Sequence, residues 1–411
     1  MIRRRAGGLL VLVALVGAGC GEDSPAIPFD STTVPPATTV RSATTASDTV
    51  TKPSAAPNSS LAPVAVGEEW ADATANLTGM DSYCGNLSFV SARPDRDQIL
   101  AGVAGQGLFS NEPGSSEWTP FGRGPASASL NHRTSSIVYD PTDPARFWES
   151  GYYGLGPPPD TPAAGVNRTD NGGETFAALG VVPGPDLVSI DLTDPERRTL
   201  LAGIRGGSTI FRSTDGGATW SEMTNGLPTD LGEASFPHVL DARTYLLGTH
   251  KGDRGDAASP GIWRTGDAGA TWTKVFDQGV AGPPLAAADG NLYWILHAGG
   301  VISSADGGAS WKPLPGRGLP SSGASDARSA RIIEVPDGTW VSMSANVVVV
   351  SRDRGTSWQI VGPQLSFEPS GFTYSAVRKA VYVWLSYCDV QAGLNPVADG
   401  AIMRLDLDLS P

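Results

Sequence analysis

One ten-residue stretch, FRSTDGGATW at residues 211–220, constrains this chain more than any other, because near-copies of it return along the sequence. WRTGDAGATW occupies residues 263–272, ISSADGGASW 302–311 and VSRDRGTSW 350–358, and an earlier relative, NRTDNGGETF, occupies 167–176. Aligned on Asn171, Asp215, Asp267, Asp306 and Asp353, each copy has Ser or Thr two places earlier and Gly two places later. Each closes on an aromatic ring: Phe176, Trp220, Trp272, Trp311 or Trp358. A worn copy with one extra residue, FSNEPGSSEW, lies at 109–118. The order has a chemical logic. The acidic side chain accepts hydrogen bonds from amides of its own tight turn. Gly takes the positive φ that such a turn needs. The hydroxyl bonds locally across the hairpin, and the ring packs between adjoining strands. Each copy therefore reads as a stapled β-hairpin.

The copies recur every 40–50 residues or so, the period of propeller blades. An apolar strand enters each box (STIFR, GIWR, GVIS, VVVV), and two more strands precede it, joined by turns at residues 140–144, 192–195 and 335–338. First strands of successive units are predicted near Ser88, Ser135, Leu187, Val239, Leu285, Arg331 and Thr373. The expected fold is all-β, a seven-bladed β-propeller over residues 67–411. The last unit ends in AIMRLDLDLSP without a box. Its fourth strand is expected from residues 69–78, where Trp70 stands in the place of Trp220. Such closure removes the open edges of the ring. Cys84 and Cys388 then fall where the ring is sewn together, and an exported protein would oxidise them to a disulfide.

The repeat resembles the Asp box, or bacterial neuraminidase repeat. Across residues 67–411 the chain looks most similar to the photosystem II assembly/stability-factor-like propellers, and also to the sortilin-type propellers, which have more blades. That resemblance implies a binding or assembly scaffold. Sialidases carry the same boxes, but on six blades and with an arginine triad opened by a Phe/Tyr-Arg-Ile-Pro motif. This sequence lacks that motif; SARPD at 91–95 is a poor substitute. Xyloglucanase-type glycosidases have similar blades and need two propellers with a cleft between them. The boxes identify the fold and not the partner. The reading is a non-catalytic scaffold for a protein or glycan, with a sialidase-like glycoside hydrolase as the alternative.

Residues 1–20 read as an export signal: Arg3–Arg5, an apolar core too short to span a membrane, and small residues before Cys20. VGAGC resembles the lipobox of bacterial lipoproteins, with Gly17 where leucine usually sits, and implies lipidation at Cys20. Residues 21–66 are rich in Ser, Thr, Pro and Ala and read as a disordered tether. The expected location is a membrane lipoprotein facing outside the cytoplasm, in the periplasm or at the cell surface, a monomer held to the membrane by its lipid alone. A net charge of −13 on 411 residues argues against nucleic acid as partner.

With the boxes on the hairpins between third and fourth strands, the long loops emerge on the opposite face. These include residues 151–165, 249–261 and 386–400. Propellers bind ligands where such loops surround the axial funnel. The candidate ligand-binding residues there are Arg133, Tyr152, Tyr153, His250, Arg254, Arg328 and Tyr387, aromatic rings beside hydrogen-bond donors. The four histidines, His132, His238, His250 and His297, all fall at strand ends on this face, but no short-spaced ligand pair points to a metal. No cofactor and no metal are expected. Catalytic residues are not assigned, because hydrolysis would need two facing carboxylates that a sequence does not place.

Overall fold

The computed structural model describes residues 64–152, 165–204, 209–223, 225–228, 231, 233–250, 260–316, 318–321, 330–389 and 391–410. Cys20, Tyr153, Arg254 and Arg328 lie outside the described residues. Six four-stranded antiparallel sheets follow one another, each built from consecutive strands, and a seventh combines both ends of the chain. This is the seven-bladed β-propeller. Its inner strands are Leu87–Ala92, Arg133–Tyr139, Pro185–Ile190, Glu233–Val239, Val280–Ala286, Ile333–Glu334 and Gly371–Ser375.

Two inner strands differ from the expectation. Val239 and Leu285, read as strand starts, lie at or near the far ends of Glu233–Val239 and Val280–Ala286. Pro237 and the pair Pro283 and Pro284 hide these strands in the sequence. An inner strand bonds on one side only, so it tolerates proline, and blade five absorbs its pair in a register shift between Ala281 and Leu285.

The seventh blade closes as its missing strand required. Ala71–Asp72 pairs with Arg404 and Met403 of the strand Ile402–Asp408. Pairing begins earlier than position 67, however: Ala65 and Val66 oppose Asp408 and Leu407. The reason is apolar. Val64, Val66 and Trp70 pack onto the core shared by blades six and seven. Trp70 Nε1 donates to the Pro363 carbonyl at 2.8 Å, as Trp220 Nε1 donates to Leu179 at 2.7 Å. The ring tryptophan thus ties its hairpin to the preceding blade in both places. The Cys84–Cys388 disulfide joins blade seven to blade one.

The box chemistry is explicit in blade three. Asp215 Oδ1 accepts from the Thr219 amide at 2.9 Å and from the Ser213 hydroxyl at 2.8 Å. Oδ2 takes the Thr219 hydroxyl at 2.6 Å, and Ser213 Oγ in turn accepts from the Gly217 amide at 2.8 Å. Asp267, Asp306 and Asp353 repeat this pattern. Asn171 keeps it with an amide, accepting from the Thr175 amide at 3.1 Å. The Thr219, Thr271 and Ser310 hydroxyls, aided by backbone amides, pull Asp215, Asp267 and Asp306 down to about 2.

That depression has a direction in acid. Unfolded carboxylates take up protons first as pH falls below about 4, so the stability the boxes contribute is complete above that value and is lost on the way to about 2. Replacing Asp215, Asp267 and Asp306 by Asn, which blade two already uses, is expected to flatten the acid limb of melting temperature against pH in this window. A limb as steep as the parent's would show that box titration does not govern it.

Candidate functional site

The described candidate residues, Arg133, Tyr152, His250 and Tyr387, lie on the face opposite the boxes, and the structure divides them. Arg133 opens the inner strand of blade two and sits opposite Tyr152 in the ladder. Its guanidinium lies 5.3 Å over the Tyr152 ring. Tyr152 is consequently only 7% exposed and does not offer the open aromatic surface expected of it.

The guanidinium also lies against Gly85. A Cβ there would fall 2.2 Å from Arg133 Cζ, and φ is +75°, so the position needs glycine twice over. The Gly85 amide donates to the Tyr387 carbonyl at 2.9 Å, and the Tyr387 amide donates to Asn86 Oδ1 at 2.8 Å. The neighbouring Cys388 is bonded to Cys84. Tyr387 therefore has a backbone fixed on both sides and a side chain left 56% exposed. Arg133, Tyr152 and Tyr387 share this corner of blades seven, one and two.

His250 belongs elsewhere. It ends the second strand of blade four and is buried, stacked 5.6 Å from Phe236 and 5.3 Å from His297. Of the stacked pair, only His297 reaches solvent. Burial draws His238, on the inner strand of blade four, down to about 4, although by area its side chain is only partly covered. Among the described residues no three His, Cys, Asp or Glu side chains are grouped as metal ligands.

Sequence reasoning missed a buried polar cluster beneath the same face. Glu149 is fully buried in the strand Phe147–Tyr152. His132 Nε2 lies 2.7 Å from its Oε1, the Thr134 hydroxyl donates to Oε1 at 2.8 Å, and Asn167 Nδ2 donates to Oε2 at 3.0 Å. A lone acid in the apolar run FWESGY was the available signal. Three contacts on one buried carboxylate suit a structural role. On the surface nearby, a cleft of about 470 Å³ separates residues 105–108 from 121–131.

The BNR/Asp-box repeat family profile matches residues 211–222, the hairpin of blade three. The chain is a seven-bladed propeller that carries the Asp-box repeat. Among curated proteins this Asp-box propeller is 25% identical over 364 residues to a xyloglucanase of Paenibacillus sp., covering 77% of this chain. It spans 25% to 35% of the length of the curated relatives it matches. Among solved structures, the GH74 xyloglucanase from Xanthomonas campestris superposes with a TM-score of 0.51 at 15% identity, covering 79% of this chain and 53% of that one. YCF48 bound to D1 peptide superposes with a TM-score of 0.47 at 14% identity, covering 86% of this chain and 99% of that one.

Proposed function

We propose that this Asp-box propeller is an exported scaffold, anchored by lipid at Cys20 and facing outside the cytoplasm, that binds a protein or glycan partner at the cell envelope without catalysing a reaction. Tyr387 carries the proposal. Its backbone is held by Gly85, Asn86 and the adjoining disulfide, yet its ring is bare. An aromatic anchor fixed before binding loses little freedom on contact, and such rings dominate interface energetics. Arg133 supplies a cation at the same corner. Tyr153, Arg254 and Arg328 are proposed to extend the surface.

A second reading, a glycoside hydrolase, is favoured by the sequence similarity to xyloglucanases. It requires paired carboxylates flanking a sugar linkage, whereas Glu149 on this side is buried and already engaged. One experiment separates the two. Retention of the full chain on immobilised envelope material is expected to fall roughly tenfold or more in Tyr387→Ala, with melting unchanged. Wild type is expected to release nothing from xyloglucan or chromogenic sialosides. Turnover on either would favour the hydrolase.

A further inference from the structure

The opposite rim, where the boxes lie, is not uniform. Five box glycines are pressed against the preceding blade. A Cβ built on Gly173 would come within 1.9 Å of Phe121, on Gly217 within 2.8 Å of Leu179, and on Gly269 within 1.9 Å of Met223. On Gly308 it would meet Leu246 at 2.6 Å, and on Gly355 Leu314 at 3.1 Å. In the worn copy of blade one Asn111 opposes Trp118, so the hairpin carries no extra residue, and the place of the box glycine falls to Ser115, which is exposed where the five glycines are buried.

The worn hairpin is still stapled at its aromatic end, because Trp118 Nε1 donates to the Ala73 carbonyl at 3.0 Å. Its turn stands clear. Pro113 stands in the place of the box aspartate, and the adjacent Glu112 Oε1 takes the Ser110 hydroxyl at 2.8 Å and Gln98 Nε2 at 2.6 Å instead of turn amides. Asn111 holds the loop, donating to the Ser115 and Glu117 carbonyls at 3.0 Å. The result is a cleft of about 740 Å³ between blades seven and one, within the ~300–1,000 Å³ usual for small-ligand sites.

Its floor is built and nearly dry. Arg378, only 10% exposed, donates Nε to Asp97, Nη1 to Asn111 Oδ1 at 2.6 Å and to the Tyr382 hydroxyl at 3.3 Å, and Nη2 to the Asn111 carbonyl at 2.9 Å. Those bonds engage four of the five guanidinium hydrogens, leaving one on Nη2. The Tyr382 hydroxyl accepts there, so its own hydrogen remains to donate. Asp97 Oδ2 has no partner among the described residues. Two carboxylates, Asp72 and Asp97, and two guanidiniums, Arg378 and Arg404, line the cleft and balance its charge.

Donors and acceptors interleaved at zero net charge match groups that donate and accept at once, which hydroxyls do. An anion would meet the carboxylates, and a cation the guanidiniums. We infer that the cleft between blades seven and one is a binding site for a neutral oligosaccharide. This site is separate from the Tyr387 corner and does not depend on it.

Calorimetric titration of the full chain with cellohexaose, mannohexaose and xyloglucan heptasaccharide tests the inference, with sialyllactose, an acidic decapeptide and a basic decapeptide as charged probes. At least one neutral sugar is expected to bind with a Kd of about a millimolar or tighter, and more tightly than every charged probe. Ser116→Trp, on the exposed wall of the cleft, should weaken it at least tenfold without shifting the melting temperature. Asp97→Asn should weaken it as well, and Tyr387→Ala should leave it intact. The inference is overturned by silence from all three neutral sugars, by tighter binding of a charged probe, or by sugar binding that survives both cleft variants.

Discussion

Glu149→Ala is expected to destabilise the propeller by about 3–5 kcal/mol, the largest single-residue effect argued for this chain. The substitution strips the carboxylate from three contacts in a place water does not reach: Thr134 and Asn167 lose an acceptor, and His132 loses one contact, at 2.7 Å. Each buried donor left without an acceptor costs roughly 1–3 kcal/mol. Glu149→Gln keeps an oxygen for one neighbour and should fall well short of the alanine loss. Urea titration with matched slopes measures the difference. An alanine variant within about 1 kcal/mol of wild type would mean that the cluster is incidental to folding.

The double variant Cys84→Ser with Cys388→Ser is expected to lose about 2–4 kcal/mol. The two cysteines are 304 residues apart, and loop-entropy accounts place long loops at the upper end of that range. Adding reductant to wild type should reproduce the loss, whereas the variant should not respond to it. The bond also adjoins Tyr387, so partner retention should weaken beyond what the stability change explains. Equal urea midpoints with and without reductant would remove the disulfide from the list of stabilising features.

Much of the architecture was legible because the box is local chemistry. Ser213, Asp215, Gly217 and Thr219 complete their hydrogen bonds within one hairpin, so the sequence states them without reference to the rest of the fold. Closure was legible through Trp70, whose likeness to Trp220 survives the circular shift. What stayed hidden depends on distant partners. Tyr152 reads as a loop-edge aromatic until Arg133 is seen to cover it. Glu149 acquires meaning only from His132 and Asn167 on neighbouring segments. The cleft between blades seven and one is a contact that fails to form, and a sequence gives no sign that Ser115 stands in solvent where Gly217 and its counterparts are buried. Prolines in Glu233–Val239 and Val280–Ala286 concealed strand starts because an inner strand, at the edge of its blade, has a spare bonding side that tolerates them.

The seam has a mechanical side. Any tension arriving through residue 64 enters the ring at its outermost strand, where Ala65–Val66 and Ala71–Asp72 are held by short ladders that open one rung at a time. Peeling them would release chain up to Cys84, where the covalent link to Cys388 ends the travel. At about 3.3 Å per residue, that is a stroke of roughly 60 Å. The latch can therefore yield under load and re-zip while the other blades stay linked, and blade seven loses its outermost strands without losing its place in the circle.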